Sequence, residues 1–151
     1  MGGKKKTDNK PKAGNQSAGD GDQTKGGGKL KGGQKIQVRH ILCSKHSKKE
    51  TALAEIKQAA ADRYAKNPGK TSSEPLWTEF VEAAKKYSED KASQGGNLDW
   101  KTKGSLHAEF ENVAYSLRPT QLDPKTQEKI VFIGEAKTAE GYHLIVVDAR
   151  G

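Results

Sequence analysis

Cysteine is almost missing from this chain. Cys43 stands alone in 151 residues, so no intramolecular disulfide can form and a reducing compartment is expected. With no second cysteine, no H-x-x-x-H pair and no Cys–His cluster, a zinc site is not expected either. No apolar run approaches the roughly 20 residues of a membrane helix. The N-terminus lacks the hydrophobic stretch of a secretory signal, and it has acids but no arginine, which argues against a matrix-targeting leader. Neither G-x-x-x-x-G-K-[ST] nor G-x-S-x-G occurs, and "KGGGK" and "KGGQK" lie where no strand or helix orients their amides. Cys43 has no helix N-terminus or obvious cation to make it a thiolate. The usual signatures of hydrolysis, redox chemistry and phosphoryl transfer are therefore absent, and no cofactor or metal is expected.

Apolar residues are also scarce in residues 1–35. This stretch holds nine Lys, three Asp and ten Gly, and Met1 and Leu30 are its only aliphatics larger than Ala. It cannot bury enough apolar surface to offset the entropy of ordering it, so a disordered tail is expected over 1–35 and one domain over 36–151. The charge divides in the same way: the tail carries a net +6 and the remainder, with eighteen basic and sixteen acidic residues, only +2. A polycation of this kind, with Lys4, Lys5, Lys6, Lys10 and Lys12 near its start, suits nucleic acid or ribosomal particles through salt-sensitive contacts. The "KKK" run and the single cysteine fit the nucleus and cytoplasm.

In the remaining chain, "IQVRHILC" alternates Ile36, Val38, His40 and Leu42 against Gln37, Arg39, Ile41 and Cys43, which predicts a strand with the first face the more buried. Ser47 and Glu50 have capping-box spacing ahead of a helix to about Lys66, with Leu53, Ile56 and Ala60 on its apolar side. Asn67-Pro68-Gly69 ends it. A second helix is predicted with Ser73 as its cap, Pro75 in its first turn, and Trp77, Phe80, Val81, Ala84 and Tyr87 as its stripe. "NLDW" reads as a short strand, "HAEFENVAYSL" as a third helix, "KIVFI" as a strand and "YHLIVVD" as the strongest strand. The turn "GEAKTAEG" joins the last two. The order β-α-α-β-α-β-β is that of an α+β domain, a four-stranded, mostly antiparallel sheet surrounded by helices. Two of only four histidines, His40 and His143, fall inside its best strands.

"VRHILC", "YSEDKASQGGNLDW", G-S-L-x-x-x-F-x-x-x-A-Y-x-L and "GYHLI" occur in the order and spacing of the parvulin-type peptidyl-prolyl cis/trans isomerases. The chain resembles that family over Val38–Asp148. Its Lys/Gly-rich leader, and the absence of a WW module before the domain, make it most similar to the small eukaryotic parvulin 14 branch. The resemblance implies a site in which His40 and His143 face each other beneath the substrate pocket. Asp90 stands where the phosphate-directed branch has cysteine, and Thr138 hydrogen-bonds into the histidine pair. Leu98, Leu106 and Phe110 wall the proline ring, and His107 sits beside it. Expected partners are proline-containing peptides and, through the tail, DNA or preribosomal particles. A monomer and no membrane association are expected.

"SKHSKKE" offers Lys45, Lys48 and Lys49 but no arginine to clamp a phosphate. A phosphorylation-independent isomerase is therefore expected, tolerant of acidic or basic residues before proline. The alternative is a non-catalytic adaptor that grips proline segments or nucleic acid. Two departures from the family bear on the site: Asp99 replaces the usual glycine in "GGNLDW", and "RYAKNPGKTSSEPLW" is longer than in compact parvulins.

Overall fold

The computed structural model describes residues 35–151. The expectations for the tail, Lys4, Lys5, Lys6, Lys10 and Lys12 included, lie outside the described residues. In chain order the elements are β1 (Lys35–Cys43), α1 (His46–Lys66), α2 (Trp77–Tyr87), a 3-10 turn (Ala92–Gln94), β2 (Asn97–Thr102) and α3 (Ala108–Ala114). They are followed by β3 (Gln121–Leu122), β4 (Lys129–Ile130), β5 (Gly134–Thr138) and β6 (Gly141–Arg150).

Four strands form an antiparallel sheet in the order β2-β1-β6-β5, which confirms the α+β class. The two central strands come from opposite ends of the domain. Each is covered on both faces. Ile36 and Val38 of β1 and Ile145 and Val147 of β6 pack under Phe110 and Ala114 of α3. Ile41, Cys43, Leu144 and Val146 face the other way, onto Leu53 and Ile56 of α1 and Phe80 of α2. The sequence predicts one dominant buried face on β1; the structure buries both, because helices sit on each side of the sheet. Each fully buried aliphatic or aromatic side chain here contributes about 1.5–3 kcal/mol.

Several boundaries differ from the sequence expectation. Ser47 is not a cap: α1 begins at His46, after an extended Lys45 whose side chain makes no capping hydrogen bond. The Ser47 carbonyl instead accepts from the Thr51 hydroxyl. Glu50, which a capping box would turn back, is held by Lys49 Nζ at 2.7 Å. Ser73 does not cap α2 and Pro75 is not in its first turn. The chain stays extended there because Leu76 bridges to Ile130 and the Pro75 carbonyl accepts from the Val131 amide. The helix starts at Trp77, and Glu79 Oε1 reaches back to the Leu76 amide at 2.9 Å.

"KIVFI" contributes only Lys129–Ile130, paired in a separate ribbon with Gln121–Leu122. "GEAKT", read as turn, is the edge strand β5. Its alternation of small and charged residues hid it, because one side faces solvent and the other receives α3: a Cβ on Gly134 would run into Val113 and Leu117.

The long 63–77 segment is tied down rather than splayed. Arg63 forms a two-pronged pair with Glu79 at 2.8 and 2.9 Å and donates to the Thr71 hydroxyl and the Ser72 carbonyl. Glu128 accepts from the Thr71 hydroxyl and the Ser72 amide, fixing the loop to the β3–β4 ribbon.

Candidate active site

The register of β1 against β6 pairs Leu42 with His143 and His40 with Ile145. His40 and His143 are therefore diagonal neighbours on the α3 face of the sheet. Both are almost fully buried, at 3% and 1% exposure. Their Nδ1 atoms lie 2.9 Å apart and their ring planes differ by 22°. His143 Nε2 is 2.7 Å from the Thr138 hydroxyl at the end of β5, and His40 Nε2 is 2.9 Å from Asp90 Oδ2.

Elementary hydrogen-bond inventory assigns every proton in this chain. The Asp90 carboxylate only accepts, so His40 Nε2 donates. A neutral His40 then has a bare Nδ1, and His143 donates to it from its own Nδ1. His143 Nε2 is left as an acceptor for the Thr138 hydroxyl, whose oxygen in turn accepts the Glu140 amide at 3.1 Å. Every link runs one way, from Thr138 to Asp90, with both imidazoles neutral. Protonating His40 would set two N–H groups head to head. Burial pushes both imidazoles below their ordinary 6.5, and for His143, with His40 as a second cause, down to about 4. For His40 the Asp90 carboxylate pulls the other way without cancelling burial.

Phe110 covers the pair, its ring nearly perpendicular to both imidazoles with centroids 5.6 and 5.2 Å away. Leu98 from β2 and Leu106 from the β2–α3 loop pack half-buried against the same cluster. His107 caps the start of α3 at the surface, its Nε2 3.6 Å from Glu140 Oε2. All eight residues expected from the sequence thus meet on the α3 face or its rim.

The sequence reading missed the supports. Ser88 accepts the Leu42 amide and brackets Asp90, accepting its amide and donating to its carbonyl, while the Glu89 amide binds the Leu42 carbonyl. The loop after α2 is thereby pinned to β1, which delivers Asp90 to His40. Gly96 lies against the His40 backbone: its carbonyl accepts the His40 amide at 3.0 Å, and a Cβ there would fall on the His40 carbonyl oxygen. Arg39, expected on the less buried face, is buried on the α2 side and donates to the Gly95 carbonyl and Asp148. An arginine between Val38 and His40 in the middle of a strand was the available signal. Asp99, at the family's usual glycine position, takes φ +63°, the left-handed backbone a glycine would adopt.

A four-stranded antiparallel sheet with helices on both faces and a hydrogen-bonded histidine pair under an apolar cover defines a class, and the comparisons agree with it. Residues 40–149 match the rotamase family model, the PPIC-type PPIASE domain. The chain is 47% identical over 118 residues to the peptidyl-prolyl cis-trans isomerase pin4 of Emericella nidulans, covering 78% of this chain and 73% of that protein. It is 44% identical over 135 residues to the PIN4 isomerase of Gibberella zeae, covering 89% and 79%. Among solved structures, it is similar to NmPin, the parvulin of Nitrosopumilus maritimus, at 28% identity and a TM-score of 0.46, over 77% of this chain and 97% of that one. The chain belongs to the parvulin-type peptidyl-prolyl cis/trans isomerases. Its activity is rotation of the peptide bond before proline.

Proposed function

We propose that His40, His143, Asp90 and Thr138 act together as a fixed electrostatic frame, and that Leu98, Leu106, His107 and Phe110 receive the substrate, with no covalent step. The observation that carries this reading is the one-way hydrogen-bond chain ending on a half-exposed carboxylate. An X–Pro bond must cross a barrier of about 20 kcal/mol because rotation breaks amide resonance. The planar amide holds partial negative charge on its carbonyl oxygen; the twisted amide holds less. A site that strips water from that oxygen and sets a carboxylate near it penalises the planar form and favours the twisted one. Asp90 suits this role: its side chain is 39% exposed, and Oδ1 has no hydrogen-bond partner among the described residues. The histidines are positioning residues in this scheme, holding the carboxylate rather than moving protons.

The isomerase is phosphorylation-independent in this reading, and one set of contacts supports it. Of the three lysines near the pocket strand, Lys48 is paired with Glu89 at 3.1 Å, and Lys49 with Glu50 and Glu135 at 2.7 and 2.5 Å. Only the exposed Lys45 is left to meet a phosphate, which is too little for a clamp. Acidic and basic residues before proline are both tolerated. Exchange spectroscopy on Ala-Pro, Glu-Pro, Lys-Pro and phosphoserine-Pro peptides tests this. Comparable rates on all four are expected, and an increase of orders of magnitude confined to phosphoserine-Pro would refute it.

The charge of residues 1–35 supports a second element: a basic tail that carries the domain to DNA or preribosomal particles in the nucleus and cytoplasm. With Asp90 at the cysteine position, it also supports membership of the parvulin 14 branch. Removing residues 1–34 is expected to abolish electrophoretic retardation of DNA while leaving isomerase rates unchanged; retained DNA binding would overturn the tail's role.

A further inference from the structure

On the opposite face of the sheet from the histidine pair lies a cleft of about 360 Å³, lined by Gln37, Arg39, Trp77, Thr120, Gln121, Leu122, Lys129 and Asp148. The first turn of α2 forms one wall and the β3–β4 ribbon the other. None of the proposed active-site residues lines it.

Its polar groups are unevenly committed. Asp148 is spent: Oδ2 accepts from Arg39 Nε at 2.8 Å, and Oδ1 from the Trp77 indole at 3.2 Å and the Thr120 hydroxyl at 3.2 Å. The ribbon acids do not pair with either cation: Glu128 accepts from Thr71 and Ser72, and Asp123 from the amides of its own turn. The donors are not all spent. Arg39 is 6% exposed, and its Nη2 has no hydrogen-bond partner among the described residues. Lys129 has no carboxylate partner there; its ammonium rests 4.0 Å from the Trp77 ring centre, with the Arg39 guanidinium 4.8 Å from the same centre. The side-chain amides of Gln37 and Gln121 donate to nothing among the described residues. Two cations thus share one indole, and the one carboxylate among them, Asp148, is paired with Arg39 and accepts two further hydrogen bonds. An excess positive charge held in a recess, surrounded by unspent N–H groups, is a setting that attracts a counter-ion.

We propose that this cleft is a second binding site, for an oxyanion, either a phosphoryl group or a carboxylate. The anion sits between Lys129 and the free edge of the Arg39 guanidinium, with the Gln37 and Gln121 amides as further donors. Arg39 Nη1 donates to the Gly95 carbonyl, and the next residue, Gly96, accepts the His40 amide. Occupancy on this face therefore also registers at the turn that supports the catalytic strand.

The full chain, labelled with nitrogen-15, carries two indole reporters. Trp77 lies in the cleft, and Trp100 projects from β2 with 44% exposure. Titration with inorganic phosphate is expected to shift the Trp77 indole signal and the amides of Gln37, Gly95, Thr120 and Gln121 in a saturable way, with Trp100 unmoved. Chloride at matched ionic strength leaves them all in place. Lys129→Gln, on an exposed side chain, is expected to weaken phosphate binding about five-fold, the upper range for losing one partly solvated ion pair, with isomerase activity unchanged. An acetate arm separates the sources: saturation by both anions means a general oxyanion site, and saturation by phosphate alone a phosphoryl site. Identical shifts in chloride, no saturable shift in phosphate, or an unchanged affinity in Lys129→Gln would each overturn the proposal.

Discussion

Acid should destabilise this domain before most of its carboxylates titrate. His143 is held neutral down to about pH 4 in the folded state, against an ordinary 6.5 once unfolded. Between those values the unfolded chain binds more protons than the native one, so stability falls as pH falls, and the contribution is intact only above 6.5. Taking those two values, the loss between pH 7 and pH 5 is about 2 kcal/mol from His143 alone. His40, lowered for the same reason, adds to it. The carboxylates that the fold lowers, Glu50, Glu55, Glu89 and Glu128, start from 4.5 and lose their stabilisation only below that. Glu111, raised above 4.5 by burial, takes up its proton first in the native state and so offsets part of the histidine loss. Of these carboxylates only Glu111 reaches toward the histidine window. Urea denaturation at the two pH values, followed by tryptophan fluorescence, should show the midpoint drop by roughly 1 to 2 M. The imidazole Cε1–H signal of His143 should stay in its neutral position through pH 5. A midpoint that moves by less than about 0.3 M, or a His143 signal that titrates near 6.5, would refute the closed, neutral chain of hydrogen bonds.

Three substitutions probe other parts of the site. Asp90→Asn keeps an acceptor for His40 Nε2 but removes the charge; isomerase kcat/KM should fall about ten-fold, the loss of one charge-assisted interaction, with the urea midpoint almost unchanged. Gly96→Ala forces a methyl group onto the His40 carbonyl at φ +78°, and should cost several kcal/mol, on the order of 3, measured by thermal unfolding. Asp99→Gly relieves a left-handed aspartate and should raise stability by about 0.5–1 kcal/mol without altering activity; a loss of stability there would mean that the Asp99 side chain has a role of its own.

The outline of the fold was legible because its central strands carry apolar residues at strand spacing and its helices carry apolar stripes. What was misread has local causes. β5 is an edge strand of small and charged residues, and its strand character comes from pairing Ala136 with His143 rather than from its own composition. The β3–β4 ribbon is two residues on each side, too short for any period to emerge. The α2 cap was displaced because a contact 54 residues away, between Leu76 and Ile130, outweighs the local preference of Ser73. The site residues were found through the family resemblance. Taken alone, a histidine on a strand or an acid after a helix carries no signal. The supports Ser88 and Arg39 act through backbone groups of distant segments, which no spacing rule encodes.

The direction of the hydrogen-bond chain explains why the site needs both ends of the domain. A histidine pair by itself has no preferred polarity, since either ring can donate to the other. The carboxylate at one end removes that freedom and the hydroxyl at the other completes the chain: Asp90 can only accept, and Thr138, with the Glu140 amide on its oxygen, donates to the bare His143 Nε2. Those two residues come from the loop after α2 and from the edge strand β5, and each meets its histidine only when β1 and β6 are in register. A slip of one residue would turn His143 to the α1–α2 face and put Leu144 beside His40. On the proposed mechanism, isomerase competence is therefore a property of the completed sheet. A partly folded chain with α1 and α2 in place but β6 undocked would hold the carboxylate without the pair that orients it.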